Sequence, residues 1–196
     1  MRVGKLALVE TALVAALTAC SAGAPPQRTP GAESPSKAES QVCGDPILTD
    51  EGIGALRIGM PVSAVRIACS VLRDTIVTDM EGMPSRRVTI AVGADSAHGE
   101  IVDDKLWRVS VVSPGFRTAD SLGVGSSIAR FKSIKGAHAV RGEGAVYAAI
   151  PSHCGMSFQL TGFKPASGAV VLANLPPSVT VLRVFIFGCP SPAGSR

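Results

Sequence analysis

The sequence predicts an α+β fold of two tandem modules, each a short helix followed by a four-stranded antiparallel meander. Three observations predict it. Residues Leu56-Arg57-Ile58-Gly59-Met60-Pro61-Val62-Ser63-Ala64-Val65-Arg66 align with Leu122-Gly123-Val124-Gly125-Ser126-Ser127-Ile128-Ala129-Arg130-Phe131-Lys132 at a constant offset of 66 residues. The alignment keeps Leu and the later Gly and exchanges Ile/Val, Val/Ile, Val/Phe and Arg/Lys, as repeated supersecondary units do. After each copy the apolar period changes from 3.6, which suits a helix, to 2, which suits a strand. Finally, 196 residues at 46% hydrophobic and 17% charged leave room for one domain or two small modules and exclude a wholly disordered chain.

In chain order, the first element is an address. Arg2 and Lys5 precede an apolar run, Leu6–Ala19, broken only by Glu10. A basic start, a short apolar run and small residues before a cut site make a secretory signal, residues 1–19. The run is shorter than the roughly 20 residues a spanning helix needs. Leu17-Thr18-Ala19-Cys20 resembles the lipobox of bacterial lipoproteins, which implies cleavage before Cys20 and lipid attachment to it. Acyl chains at about 0.8 kcal/mol per buried CH₂ then hold the product to a membrane. Processing leaves 17 basic against 14 acidic side chains, a net charge of +3. Residues 20–41 are rich in Ser, Ala, Pro and Gly without a large apolar side chain, so they read as a flexible, lipid-anchored linker.

The first module spans residues 42–113. Pro61 suits the first turn of a helix, and Val62, Val65 and Cys69 form its buried stripe. Strands are expected at Thr75–Asp79, Arg86–Val92, Gly99–Val102 and Leu106–Ser113, separated by turn residues including Asp103-Asp104-Lys105. Strict alternation in the last sets Leu106, Arg108, Ser110 and Val112 on one face and Trp107, Val109 and Val111 on the other. The second module, 114–189, opens with Ser126 as expected N-cap and Ile128 and Phe131 as the apolar stripe. Strands follow at Ala137–Arg141, Ala145–Ile150, Met156–Leu160 and Val179–Phe187. Residues 190–196 read as a disordered tail.

With Cys20 lipidated, Cys43, Cys69, Cys154 and Cys189 remain, an even number that argues for two disulfides in an exported chain. Three connectivities are open. Cys43–Cys69 with Cys154–Cys189 is favoured because it keeps each bridge within one half, at about 3–4 kcal/mol each in the chain-entropy model. Absent C-x-x-C and H-x-x-x-H spacings argue against a metal site, and no cofactor motif is present.

The layout resembles the tandem modules of the β-lactamase-inhibitor-protein fold and the small outer-membrane-assembly lipoproteins. Their modules open on a Gly-Met or Gly-Ser/Thr turn into a helix, as Gly59-Met60 and Gly125-Ser126 do here. The resemblance covers about Gly52–Cys189 and implies an antiparallel sheet after each helix. It departs from the inhibitor in having one helix per module rather than a pair. With one Trp and one Tyr in all, no aromatic-rich sheet face is expected.

No catalytic constellation stands out. Gly123-Val124-Gly125-Ser126-Ser127 displaces its Ser from a G-x-S-x-G elbow. Gly52-Ile53-Gly54 lacks the third Gly of a dinucleotide loop and reads as a turn. His153 and Cys154, as strand neighbours, point to opposite faces. Asp103, Asp104 and Glu100 read as a solvated hairpin rather than a Ca²⁺ site. Two surface features are candidate binding sites. The long connection Phe163–Ser178 carries Val170, Val171, Leu172 and Leu175, either an exposed apolar tip or a segment packed on the core. Arg86 and Arg87, with Arg108 and Arg117, make either a basic patch or scattered charge.

The function expected is that of a lipid-anchored, non-catalytic binding or scaffold protein, extracytoplasmic and attached to the cell membrane or outer membrane. Its partner would be an envelope protein or polymer; nothing like a Lys/Arg run supports nucleic acid. Two other readings are a proteinaceous inhibitor of a secreted hydrolase and a small envelope enzyme gathering His98, His138 or His153 with an acid.

Overall fold

The computed structural model describes residues 43–78, 82–162 and 169–190. The signal segment, Cys20, the linker through 41, residues 163–168 of the long connection and residues 191–196 of the tail lie outside the described residues. Short strands come first: Ile47–Thr49 (β1), Gly52–Ile53 (β2) and Leu56–Arg57 (β3), then the seven-residue helix Val62–Ala68 (α1). Val71–Thr78 (β4), Pro84–Val92 (β5), Asp95–Val102 (β6) and Lys105–Val111 (β7) form a meander, followed by Arg117–Thr118 (β8). The five-residue helix Ile128–Lys132 (α2) precedes His138–Gly142 (β9), Ala145–Ala149 (β10) and Met156–Leu160 (β11). A 3-10 turn over Leu172–Asn174 leads to the last described strand, Val181–Ile186 (β12).

These strands make two sheets. Eight of them run antiparallel in the order β4-β5-β6-β7-β12-β11-β10-β9, and four make the small sheet β3-β2-β1-β8, where β1 and β8 are parallel. The fold is therefore mostly β, and the expected α+β class of two helix-plus-meander modules is corrected. The physical reasons are local. The helices bury only Val62 and Val65, and Ile128 and Phe131, too little to form a layer of their own. Meanwhile β12 pairs with β7, setting Val184 opposite Val111 and Ile186 opposite Val109, so the large sheet is continuous. Gly52-Ile53, expected as a turn, pairs in the small sheet with Leu48 and Thr49 on one side and Leu56 and Arg57 on the other.

The two approaches to the helices are built alike. Gly59 and Gly125 both sit at φ +83°, where a side chain is strained. The Gly59 N–H donates to the Leu106 carbonyl at 2.7 Å, and the Gly125 N–H to the Val181 carbonyl at 2.7 Å. In return Leu106 N–H donates to Met60 O at 2.8 Å and Val181 N–H to Ser126 O at 2.9 Å. Ser126 is not the helix cap: that position belongs to Ser127, which makes no side-chain capping bond. Ser126 Oγ is instead buried and accepts from the Gly123 N–H at 3.0 Å and Arg117 Nη1 at 3.1 Å.

The core lies on one face of the large sheet. Val88, Ile90 and Val92 of β5, Leu106, Val109 and Val111 of β7, and Val184 and Ile186 of β12 project into it. Val62, Val65, Ile128, Phe131 and Leu48 join them in the same cluster. Phe131 and Phe158 meet edge-to-face with centroids 5.1 Å apart. The strict alternation expected in β7 is corrected by a bulge. Glu100 pairs with Arg108 but Ile101 with Leu106, leaving Trp107 as the extra residue, 56% exposed. Thus Leu106, Val109 and Val111 share the core face, and Arg108 and Ser110 share the other. Leu182 in β12 and Leu72 in β4 are skipped in the same way.

Both disulfides form, Cys43–Cys69 and Cys154–Cys189, closing 26- and 35-residue separations. The first is buried in the core cluster, and the second is exposed. Among the described residues no helix is long and apolar enough to cross a membrane.

Candidate functional site

The face of the large sheet opposite the core contributes nothing to the core cluster. Strand register assigns its residues. One row runs Thr75, Arg87, Glu100, Arg108 across β4, β5, β6 and β7. A second runs Arg73, Thr89, His98, Ser110, Phe185, Ser157 across β4 to β11. A third sets Arg183 beside Gln159, Gln159 beside Tyr147 and Tyr147 beside Val140. The β4–β7 half of this face is thus polar, and the β9–β12 half is rich in aromatic side chains.

Phe185 is the centre of that second half. It is 7% exposed, with the Arg108 guanidinium carbon 4.9 Å and the Arg183 carbon 5.6 Å from its ring centroid. Those distances are within cation–π range. Tyr147 lies beside it at 6.0 Å, tilted by 55°. Arg108 is fixed by Glu100, to which Nε and Nη2 each donate at 3.1 Å, and by Glu143 at 3.2 Å. Burial works against the charge on Arg108, but its hydrogen bonds to Glu100 and the Glu100 charge outweigh it and raise its pKa. Burial, with the Glu143 charge, pushes the Tyr147 hydroxyl above its ordinary range. Two buried polar atoms close by, Gln159 Oε1 and Arg183 Nε, have no hydrogen-bond partner.

A groove of about 390 Å³ opens beside this cluster, lined by His138, Val140, Tyr147, His153, Ser157 and Phe187 among others. A hollow of about 200 Å³ shares Tyr147, Ser157 and Phe187 with it and adds Arg108, Glu143 and Phe185. The groove brings His138 and His153 to one place, whereas His98 stands on β6 within 3.4 Å of Thr89 Oγ1. Both ring nitrogens of His153 face carboxylates: Nε2 lies 3.2 Å from Asp120 Oδ1, and Nδ1 lies 3.9 Å from Asp50 Oδ1. Only the Asp120 contact is within hydrogen-bond distance. Burial pushes the Asp120 carboxyl up, but hydrogen bonds from Thr118 and His153 prevail and hold it below the usual range. Asp50 and the sulfurs of Cys154 and Cys189 lie within 4.8 Å of one another. Those sulfurs are bonded to each other and are not thiolate ligands in this state.

The residues singled out from sequence are placed as follows. Arg86 and Arg87 do not form a patch, because successive strand residues face opposite ways. Arg87 lies on the open face, 3.8 Å from Glu100, while Arg86 lies on the core side bound to Asp74 at 2.8 Å and Asp104 at 2.9 Å. Arg117 is held by Ser126. Of the four residues singled out in the long connection, Leu172 and Leu175 are buried, Val170 packs against the core and Val171, 52% exposed, faces out. Lys132 Nζ pins this segment by donating to Leu175 O at 2.8 Å. For the described residues of that connection, 169–178, the packed reading replaces the exposed-tip reading. Cys20 lies outside the described residues.

Tyr147, Phe185, Phe187 and Arg183 were missed, and the expectation of no aromatic-rich face is corrected for the β9–β12 half. Three aromatic residues suffice because β10 and β12 present them to one spot. The signal was present in part: Arg183, Phe185 and Phe187 alternate with Val184 and Ile186.

No family model matches the chain, and no curated protein sequence matches it. Among solved structures, the chain is similar to the crystal structure of the uncharacterized protein yfeY from Escherichia coli. The TM-score is 0.55 at 16% identity, over 72% of this chain and 99% of that one. At that identity the likeness concerns the fold alone.

Proposed function

We propose that this protein is a lipid-anchored, extracytoplasmic binding protein of the bacterial envelope that works through the open face of its large sheet and is not a catalyst. The observation that carries the reading is the aromatic and arginine cluster around Phe185, built on a face that adds nothing to the core. Aromatic residues and Arg are the side chains enriched where proteins bind one another. Two disulfides are compatible with an oxidising compartment.

The anchor rests on Leu17-Thr18-Ala19-Cys20. Membrane fractionation and intact-mass measurement of the wild type and Cys20→Ala test it. Acylated wild type in the membrane fraction and soluble, unacylated variant are expected; identical fractionation of the two refutes the anchor. A photo-crosslinker placed at Phe187 or Val140 is expected to trap a neighbour in intact cells, while one at Ile67, across the fold, is not. Absence of adducts at both open-face positions refutes the binding reading.

A further inference from the structure

We infer that the open face accepts an acidic polypeptide segment carrying large apolar side chains, a claim that rests on the binding reading above and adds the chemistry of the partner. Charge is the first argument. The face carries the guanidinium groups of Arg73, Arg87, Arg108 and Arg183 against the carboxylates of Glu100 and Glu143. Arg87 and Arg108 are spent on Glu100, and Arg108 also on Glu143. Arg73 and Arg183 have no ion pair among the described residues. Among the described residues the surplus is two positive charges, and both belong to side chains able to receive a carboxylate in a fork.

Spacing is the second argument. β4, which bears Arg73, and β12, which bears Arg183, are four places apart in the sheet. At about 4.8 Å per place the two lie roughly 19 Å apart, the reach of about six residues of extended chain. Two isolated cations at that distance suit two carboxylates on a segment laid across the strands. A continuous polyanion would instead need an uninterrupted row of free cations, and here the intervening Arg87 and Arg108 are already neutralised. The third argument is the apolar ground around Arg183 and along the row from it to β9. Phe187 is 38%, Val140 43% and Val112 45% exposed, and the groove of about 390 Å³ between β9 and Phe187 is open to a side chain. Apolar surface of this kind gains from a leucine or phenylalanine and little from a charged polysaccharide.

The test uses the full-length chain in mild detergent and a displayed library of random dodecapeptides. Selection is expected to enrich sequences with net negative charge and at least one large apolar residue. Synthetic versions of the winners are expected to lose tenfold or more in affinity for Arg183→Glu, and likewise for Arg73→Glu, which stands on the exposed edge strand. Circular dichroism of each variant checks that the fold is kept. The inference is overturned by basic or neutral winners, by no enrichment, by affinity unchanged in both folded variants, or by heparin competing as well as the acidic peptides. Crosslinks at Phe187 or Val140 alongside any of those results would leave the binding reading standing while removing its acidic partner.

Discussion

Val184→Ala is the sharpest probe of how this molecule is held together. Val184 is fully buried, sits on β12 and lies directly opposite Val111 on β7, where the strands that follow α1 meet those that follow α2. The substitution removes two methyl groups. At about 0.8 kcal/mol per buried carbon, with a further allowance for the cavity, the loss is about 2–3 kcal/mol. For a folded unit of this size each kcal/mol lowers Tm by roughly 2–4 °C, so a fall of about 5–10 °C is expected. Calorimetry should show one transition, and hydrogen exchange should quicken on both sides of the seam, in β5 and β6 as well as β10 and β11. Two resolved transitions, or faster exchange confined to β9–β12, would refute the claim that one sheet and one core join the two series of strands.

Three further outcomes follow from particular contacts. Gly125→Ala meets no atom within 4 Å, so its cost is purely that of holding φ +83° with a side chain, about 1–2 kcal/mol in a denaturant titration. Asp74 is held below the ordinary carboxylate range, first by its hydrogen bond from Arg86, and Asp120 is lowered too. Groups with depressed folded pKa contribute stability above about pH 4 and lose it as pH falls through the folded value. Stability should therefore decline below about pH 4, and Asp74→Asn should flatten that decline when unfolding is followed as a function of pH. Graded dithiothreitol with mass mapping should open Cys154–Cys189, both ends exposed, before Cys43–Cys69, whose cysteines are 0% and 2% exposed.

How far the fold was legible in the sequence varies with the length of each element. Each strand of the large sheet overlaps an expected one, Met156–Leu160 to the residue, because a strand with one face in the core alternates. Residues 71–74 of β4, which buries no residue fully, and residues 95–98 of β6 were not expected. The small sheet did not announce itself. Gly52–Ile53, Leu56–Arg57 and Arg117–Thr118 have two residues each, too few to display a period. Trp107 was turned the wrong way because a bulge adds one residue without any change in composition. The fold class failed at the two short helices, which bury two residues each, and at the pairing of β7 with β12, since register between strands distant in sequence leaves no local trace. The open-face cluster failed with it: Arg108 meets Phe185 only once those two strands are neighbours. The opposite facing of Arg86 and Arg87, by contrast, follows from alternation alone.

Strand β12 does two jobs on alternate residues. Val184 and Ile186 point inward and close the sheet against Val111 and Val109. Arg183 and Phe185, with Phe187 just beyond, point outward and build the open-face cluster with Tyr147 from β10. Because strand geometry alternates the two sets strictly, adjacent positions separate stability from recognition. Val184 governs whether the sheet is whole, and on the proposed reading its neighbour Arg183 governs what the sheet attracts. A partner bound across β4 to β12 would bridge the same seam that Val184 seals, so occupancy of the face should itself stabilise the junction by mass action.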